Sequence, residues 1–109
     1  MTEELKKLCD KFDFIIETEN VLGIVLDKFK FIDGREYHLQ HPSFMELHRF
    51  MMGAETIDHV IFEYGLKKLI PKNDKSPVIN EEYLAKHRVE GFNLWSKLIR
   101  ECLLRDSLE

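Results

Sequence analysis

A chain of 109 residues with 44% hydrophobic content is one soluble domain long enough to bury a core. Its 20 acidic and 16 basic side chains, net charge −4, are interspersed; this speaks against disorder of the whole chain and against nucleic acid as a main partner, while leaving room for a local basic patch. No apolar run reaches membrane-spanning length, and the acidic start Met1-Thr2-Glu3-Glu4 has no apolar signal region, so no membrane partner is expected and the expected compartment is the cytoplasm.

Leu5, Leu8, Cys9 and Phe12 fit one face of a helix over 2–12, with Glu3 and Glu4 at the positive end of its dipole. Residues 12–27 read two ways. Ile15 and Ile16 could continue the helix, or Phe12, Phe14 and Ile16 could be the alternating face of a strand. Val21 to Leu26 is β-rich apart from Gly23, which favours a strand at about 21–31. Residues 1–27 are therefore an N-terminal helix and strand of uncertain division.

Residues 28–40 read as a hairpin. Phe29, Phe31, Tyr37 and Leu39 alternate with Lys28, Lys30, Glu36 and His38 on the two sides of Asp33-Gly34. A two-residue loop would mix the faces. A three-residue loop, Ile32-Asp33-Gly34, pairs Phe29 with Tyr37 and Lys30 with Glu36 and keeps the four apolar side chains together. It predicts a type I turn with Gly34 left-handed at a bulge. A lone hairpin is marginal in water, so a third strand or a covering helix is needed.

Pro42 keeps His41 out of helical geometry, and Ser43-Phe44-Met45-Glu46 matches the capping box. Leu47, Phe50, Met51 and Ala54 follow at helical spacing. Thr56 is the expected cap of a second helix. Ile57, Val60, Ile61, Tyr64 and Lys68 trace one side of it, Phe62, Leu66 and Leu69 a second flank, and Pro71 ends it. Residues 71–79 read as a loop. Asn80 caps a long C-terminal helix with the stripe Leu84, Phe92, Trp95, Leu98, Ile99, Cys102 and Leu103, which Gly91 weakens or kinks. The expected whole is a single α+β domain over 1–109. It has a hairpin or three-stranded antiparallel sheet packed against three to four helices, the C-terminal one long, with 43–107 as the helical part.

Chemistry is hard to find in this chain. His38, His41, His48, His59 and His87 do not converge with the cysteines at metal-ligand spacing. Cys9 and Cys102 sit on apolar stripes and read as reduced thiols rather than a disulfide framework. His59 and Glu63, at i,i+4, read as an acid–base pair or a plain surface pair. The serines lack a nucleophile-elbow context, and no glycine-rich phosphate loop is present. No catalytic, metal or cofactor residue is assigned, and an enzyme would need a pocket that gathers titratable groups. Two surface features remain. Lys67, Lys68, Lys72 and Lys75 could touch phosphate or an acidic partner, the basis of an alternative role as a nucleic-acid-associated regulator, or could be a solvated helix end. Phe44, Met45, Phe50 and Met51, with Met52, could be core or an adaptable protein-binding surface.

The order of elements resembles one family. Phe31-Ile32-Asp33-Gly34-Arg35-Glu36-Tyr37-His38-Leu39, then Pro42-Ser43, a helix, a second helix ending near Leu69-Ile70-Pro71, a polar loop and a last helix are similar to phage tail assembly chaperones over about residues 28–106. The resemblance implies a non-enzymatic protein in the cytoplasm of a bacterial or phage-infected host. It would bind a long, largely helical tape-measure protein, with self-association allowed. Helices 44–53 and 56–70 would offer the groove, with Phe44, Met45, Phe50 and Met51 as contacts inferred from side-chain type. A generic protein-interaction adaptor is a further alternative.

Overall fold

The computed structural model describes residues 2–53 and 57–108. The side chains at 50, 51, 53, 57, 58 and 105–108, and residues Ala54 and Thr56, lie outside the described set. Helix α1 (Glu3–Phe12) opens on Thr2, whose hydroxyl accepts from the Leu5 amide at 3.2 Å. It buries Leu5 and Leu8. Asp13 ends it in left-handed geometry (φ 56, ψ 61), which a short polar side chain tolerates.

The ambiguous residues after Asp13 are a strand. β1 (Phe14–Val21) pairs antiparallel with β2 (Ile24–Phe31), Phe14 opposite Phe31 and Val21 opposite Ile24. The turn between them has two residues, Leu22 at φ 54 and Gly23 at φ 83. Two positive φ values make the mirror-image turn whose twist suits a hairpin. Leucine is an uncommon choice there, so the sequence hides this turn. Asn20 supports it by accepting from the Gly23 amide at 3.1 Å.

The second hairpin, β2 to β3 (Glu36–Gln40), has the expected register. Phe29 faces Tyr37, Lys30 faces Glu36, the Phe31 amide donates to the Arg35 carbonyl at 2.9 Å, and Gly34 sits at φ 101. Phe29, Phe31, Tyr37 and Leu39 are all buried. Beyond β3 lies β4 (Leu69–Pro71), with Tyr37 opposite Pro71. The loop expected at 71–79 therefore starts later, because Pro71 belongs to the sheet. An edge strand tolerates proline, having no neighbour there for the missing N–H to serve. The antiparallel sheet runs β1-β2-β3-β4, a strand larger than the largest version expected, and the α+β class holds.

Residues 72–77 are stitched to the β2–β3 turn. The Lys72 amide donates to the Glu36 carbonyl (2.9 Å), Asn73 Nδ2 to the Gly34 carbonyl (2.8 Å), and the Glu36 amide to Ser76 Oγ (2.8 Å). The Tyr37 hydroxyl donates to the Pro77 carbonyl at 2.5 Å. The polar groups of this loop thus find partners that replace a regular ladder.

Helix α2 (Phe44–Gly53) has the expected bounds, whereas α3 (Ile57–Lys68) stops short of the expected 56–70 because Leu69, expected on its flank, and Ile70 pair with β3; Ile61 and Tyr64 are buried. The long C-terminal helix is broken instead of continuous. Asn80 caps α4 (Glu81–Lys86), accepting from the Tyr83 amide at 2.9 Å, but His87 leaves helical geometry at φ −120, ψ 63. A short α5 (Arg88–Glu90) leads into a π-helical segment, Gly91–Trp95, and then α6 (Ser96–Leu108). The Ser96 amide bonds to the Gly91 carbonyl, so this turn holds one extra residue. It aims Leu94, Trp95, Leu98, Ile99, Cys102 and Leu103 inward and leaves Phe92 exposed at 73%, against its expected place in the stripe. Cys102 is buried and Cys9 half-buried, and neither is in a disulfide. Burial, then the Asp10 charge, push the Cys9 thiol up.

Trp95 is fully buried and meets three rings of the sheet: Tyr37 at 4.9 Å, Phe31 at 5.9 Å and Phe29 at 6.4 Å between centroids. Trp95→Ala should cost about 3–5 kcal/mol in urea unfolding. At Gly65, α3 lies so close to α6 that an added Cβ would stand 2.2 Å from Ile99 Cγ2. Alanine gains roughly 1 kcal/mol of helix propensity over glycine. Displacing the fully buried Ile99 costs about 1–3 kcal/mol, and here the clash should win. Gly65→Ala should lower the urea midpoint, and adding Ile99→Ala should cost less than the two single changes summed.

Candidate protein-binding surface

The surface starts at the joint between β3 and α2. The His41 amide donates to the Val25 carbonyl at 2.9 Å, which carries strand pairing one residue past β3. Pro42 then turns the chain, and the capping box forms. The Glu46 amide donates to Ser43 Oγ at 3.2 Å, and the Ser43 amide to Glu46 Oε1 at 3.4 Å. Leu47 packs partly buried against the core. With that side facing in, Phe44, Met45, His48 and Met52 fall within roughly 100° of one another on the outer side. Phe44 is 81% exposed, Met45 63% and Met52 77%. The Phe44 and His48 rings stack at 6.4 Å with an interplanar angle of 13°.

Two of the four expected contact residues, Phe44 and Met45, are therefore surface residues rather than core. The side chains of Phe50 and Met51 lie outside the described set. His48 and Met52 complete the stripe. Their i+4 and i+8 spacing from Phe44 was the available signal, masked because methionine beside phenylalanine reads equally well as core.

Behind this joint is a polar group that no sequence motif marks. Asp27 is fully buried, and its Oδ1 accepts from Thr18 Oγ1 at 2.6 Å. Its Oδ2 is hydrogen-bonded to Nε2 of His41, also buried. The parity of the strands shows why: Asp27 is in phase with Phe29 and Phe31, and His41 with Tyr37 and Leu39, so both project to the core side. This is an anchor for the β3–α2 joint. The Thr18 hydroxyl faces the carboxylate instead of the imidazole, so the group does not have the hydroxyl–imidazole contact of an activated nucleophile.

The lysines gather less. Lys67, Lys72 and Lys75 are exposed, and the Lys68 ammonium lies 5.9 Å from the Tyr64 ring. Lys75 packs its side chain over Gly34. On the exposed side of α3, His59 Nε2 lies 3.1 Å from Glu63 Oε1. Among the described residues no group of three or more His, Cys, Asp or Glu is placed to hold a metal ion, and no helix is long and apolar enough to cross a membrane. A groove of about 680 Å³ runs between α3 and the α4–α6 region, floored by Phe62, Leu84, Ala85 and Gly91. Comparison with protein-family models, curated proteins and solved structures gives no match.

Removing one partner of a buried hydrogen bond leaves the other unsatisfied, which typically costs about 1–3 kcal/mol. Asp27→Ala should fall in that range in chemical denaturation, and Asp27→Ala with His41→Leu should cost less than the two single changes summed. Burial pushes the phenols of Tyr64 and Tyr83 up to about 12 from an ordinary 10.0; Glu46 adds to the first, and the hydrogen bond donated to Glu90 to the second. The folded state holds these protons more tightly than the unfolded state. Their contribution is complete below pH 10 and lost as pH rises to about 12, so the urea midpoint should fall across that window, and less steeply in Tyr83→Phe.

Proposed function

We propose that this protein is a non-enzymatic chaperone of phage or prophage tail assembly that holds an amphipathic helical client of the tape-measure type. The observation that carries this reading is the apolar stripe of α2, with Phe44, Met45 and Met52 turned to solvent. Singly exposed apolar residues are ordinary, but a contiguous stripe on one helix marks an interaction surface. Methionine adapts to varied apolar partners, and a helical client presents anchors at matching i, i+4 spacing. The resemblance over 28–106 supports the same role, because its defining hairpin and capped helix are the elements that position the stripe.

A generic adaptor would use the same surface and differ only in client. The reading as a nucleic-acid-associated regulator through Lys67, Lys68, Lys72 and Lys75 has less support, since Asp74 interrupts the cluster and the chain carries −4 net.

Light scattering of the protein with a tape-measure fragment should show a complex of defined mass. Phe44→Ala with Met52→Ala should weaken it about tenfold or more. The same change should move stability by less than about 0.5 kcal/mol, because these side chains are exposed. Two folded, soluble proteins that pass through the experiment without a mass change would remove the chaperone reading.

A further inference from the structure

The two edges of the sheet are unlike. β4 offers three residues, whereas β1 offers eight, and no described strand lies beyond it. The Ile32 amide donates to the Asp13 carbonyl at 2.9 Å, which sets the phase of the ladder. Odd-numbered β1 residues exchange hydrogen bonds with β2, so the amides and carbonyls of Ile16, Thr18 and Asn20 point away from the sheet. Every β1 residue from Glu17 to Val21 is exposed.

On the outer face of the sheet a basic row lies beside an acidic one: β2 contributes Lys28 and Lys30, and β1 contributes Glu17 and Glu19. Lys28 meets Glu19 and Lys30 meets Glu17, both at 2.9 Å. The next row in that series is basic. Exposed Ile15 and Val21 bound the acidic row on its two sides, and Asp10 and Asp13 line a shallow depression beside Ile15. A second copy in the register of greatest overlap complements this edge poorly. Antiparallel pairing of β1 with itself about Thr18 sets Glu17 opposite the copy's Glu19, and like charges directly opposite are destabilising.

We propose that β1 is a docking edge for an extended segment of another protein, with apolar, basic, basic and apolar side chains at alternate positions, which adds as a fifth strand. Main-chain bonds to Ile16, Thr18 and Asn20 supply the pairing, and the Glu17–Glu19 row selects the partner. The pattern is the same in both directions, so it serves a parallel or an antiparallel segment. This edge is separate from the α2 stripe and does not depend on what that stripe binds.

The test uses the full chain and a peptide with the core Val-Thr-Lys-Thr-Lys-Thr-Val in soluble flanks, read by amide hydrogen exchange and titration. Exchange at Ile16, Thr18 and Asn20 should slow about tenfold or more on binding. Glu17→Gln with Glu19→Gln should weaken binding about tenfold, and a peptide with glutamate in place of both lysines should not bind. Glu17 and Glu19 are exposed, so unchanged exchange of the β2–β3 amides reports an intact fold in the variant. The proposal is overturned if the peptide fails to bind at about 1 mM, if it binds without slowing those three amides, or if the charge-reversed peptide binds as well. It is also overturned if the three amides are already protected through self-association of the peptide-free protein.

Discussion

The sealing of one sheet face by Trp95 is the contact on which the rest of the domain depends. Phe29, Phe31 and Tyr37 come from two strands and converge on that one indole. Among the described residues no second sheet covers the four-stranded one, so a helix must deliver a large side chain at the right depth. The π turn at Gly91–Trp95 does this by inserting one residue, which rotates the start of α6 onto the sheet. The close approach of α3 at Gly65 then locks α6 from the other side through Ile99.

The same strand parity that builds this apolar face also buries Asp27 and His41. A carboxylate and an imidazole beyond the aromatic rows would be costly alone, and together with Thr18 they satisfy one another. Their position matters for function because His41 is two residues before Ser43, the cap of α2. A fixed His41 and a restricted Pro42 leave α2 little freedom in its starting direction, so the Phe44, Met45 and Met52 stripe stays outward. The fold thus uses a buried polar contact to orient an exposed apolar one.

Much of the centre of the chain was legible. The β2–β3 register follows from alternation around Asp33-Gly34, and Ser43 and Asn80 cap their helices as their spacing indicates. The edges were not. Leu22 occupies a left-handed turn position that sequence preference assigns to Asn, Asp or Gly, so the first hairpin was invisible. β4 is three residues that end in a proline, too short for any period to register. His87 breaks the C-terminal helix without a proline or a glycine at the break, and Phe92 lost its place in the stripe with the added residue of the π turn. Of the interaction surface, the residue types at Phe44 and Met45 were readable, but not their exposure.

What the sequence by itself determined is local: strand faces, one hairpin register and three helix starts, each set by period, turn chemistry or a side-chain cap acting within a few residues. Tertiary structure decided the remainder: which strands flank the β2–β3 hairpin, that Asp27 meets His41, that Trp95 is the centre, and that α2 turns Met45 and Met52 outward. Those outcomes depend on which surfaces compete for the same buried volume. That competition is settled only when α1, α3, α6 and the sheet pack at once, because an apolar side chain carries no local mark of whether it will be covered.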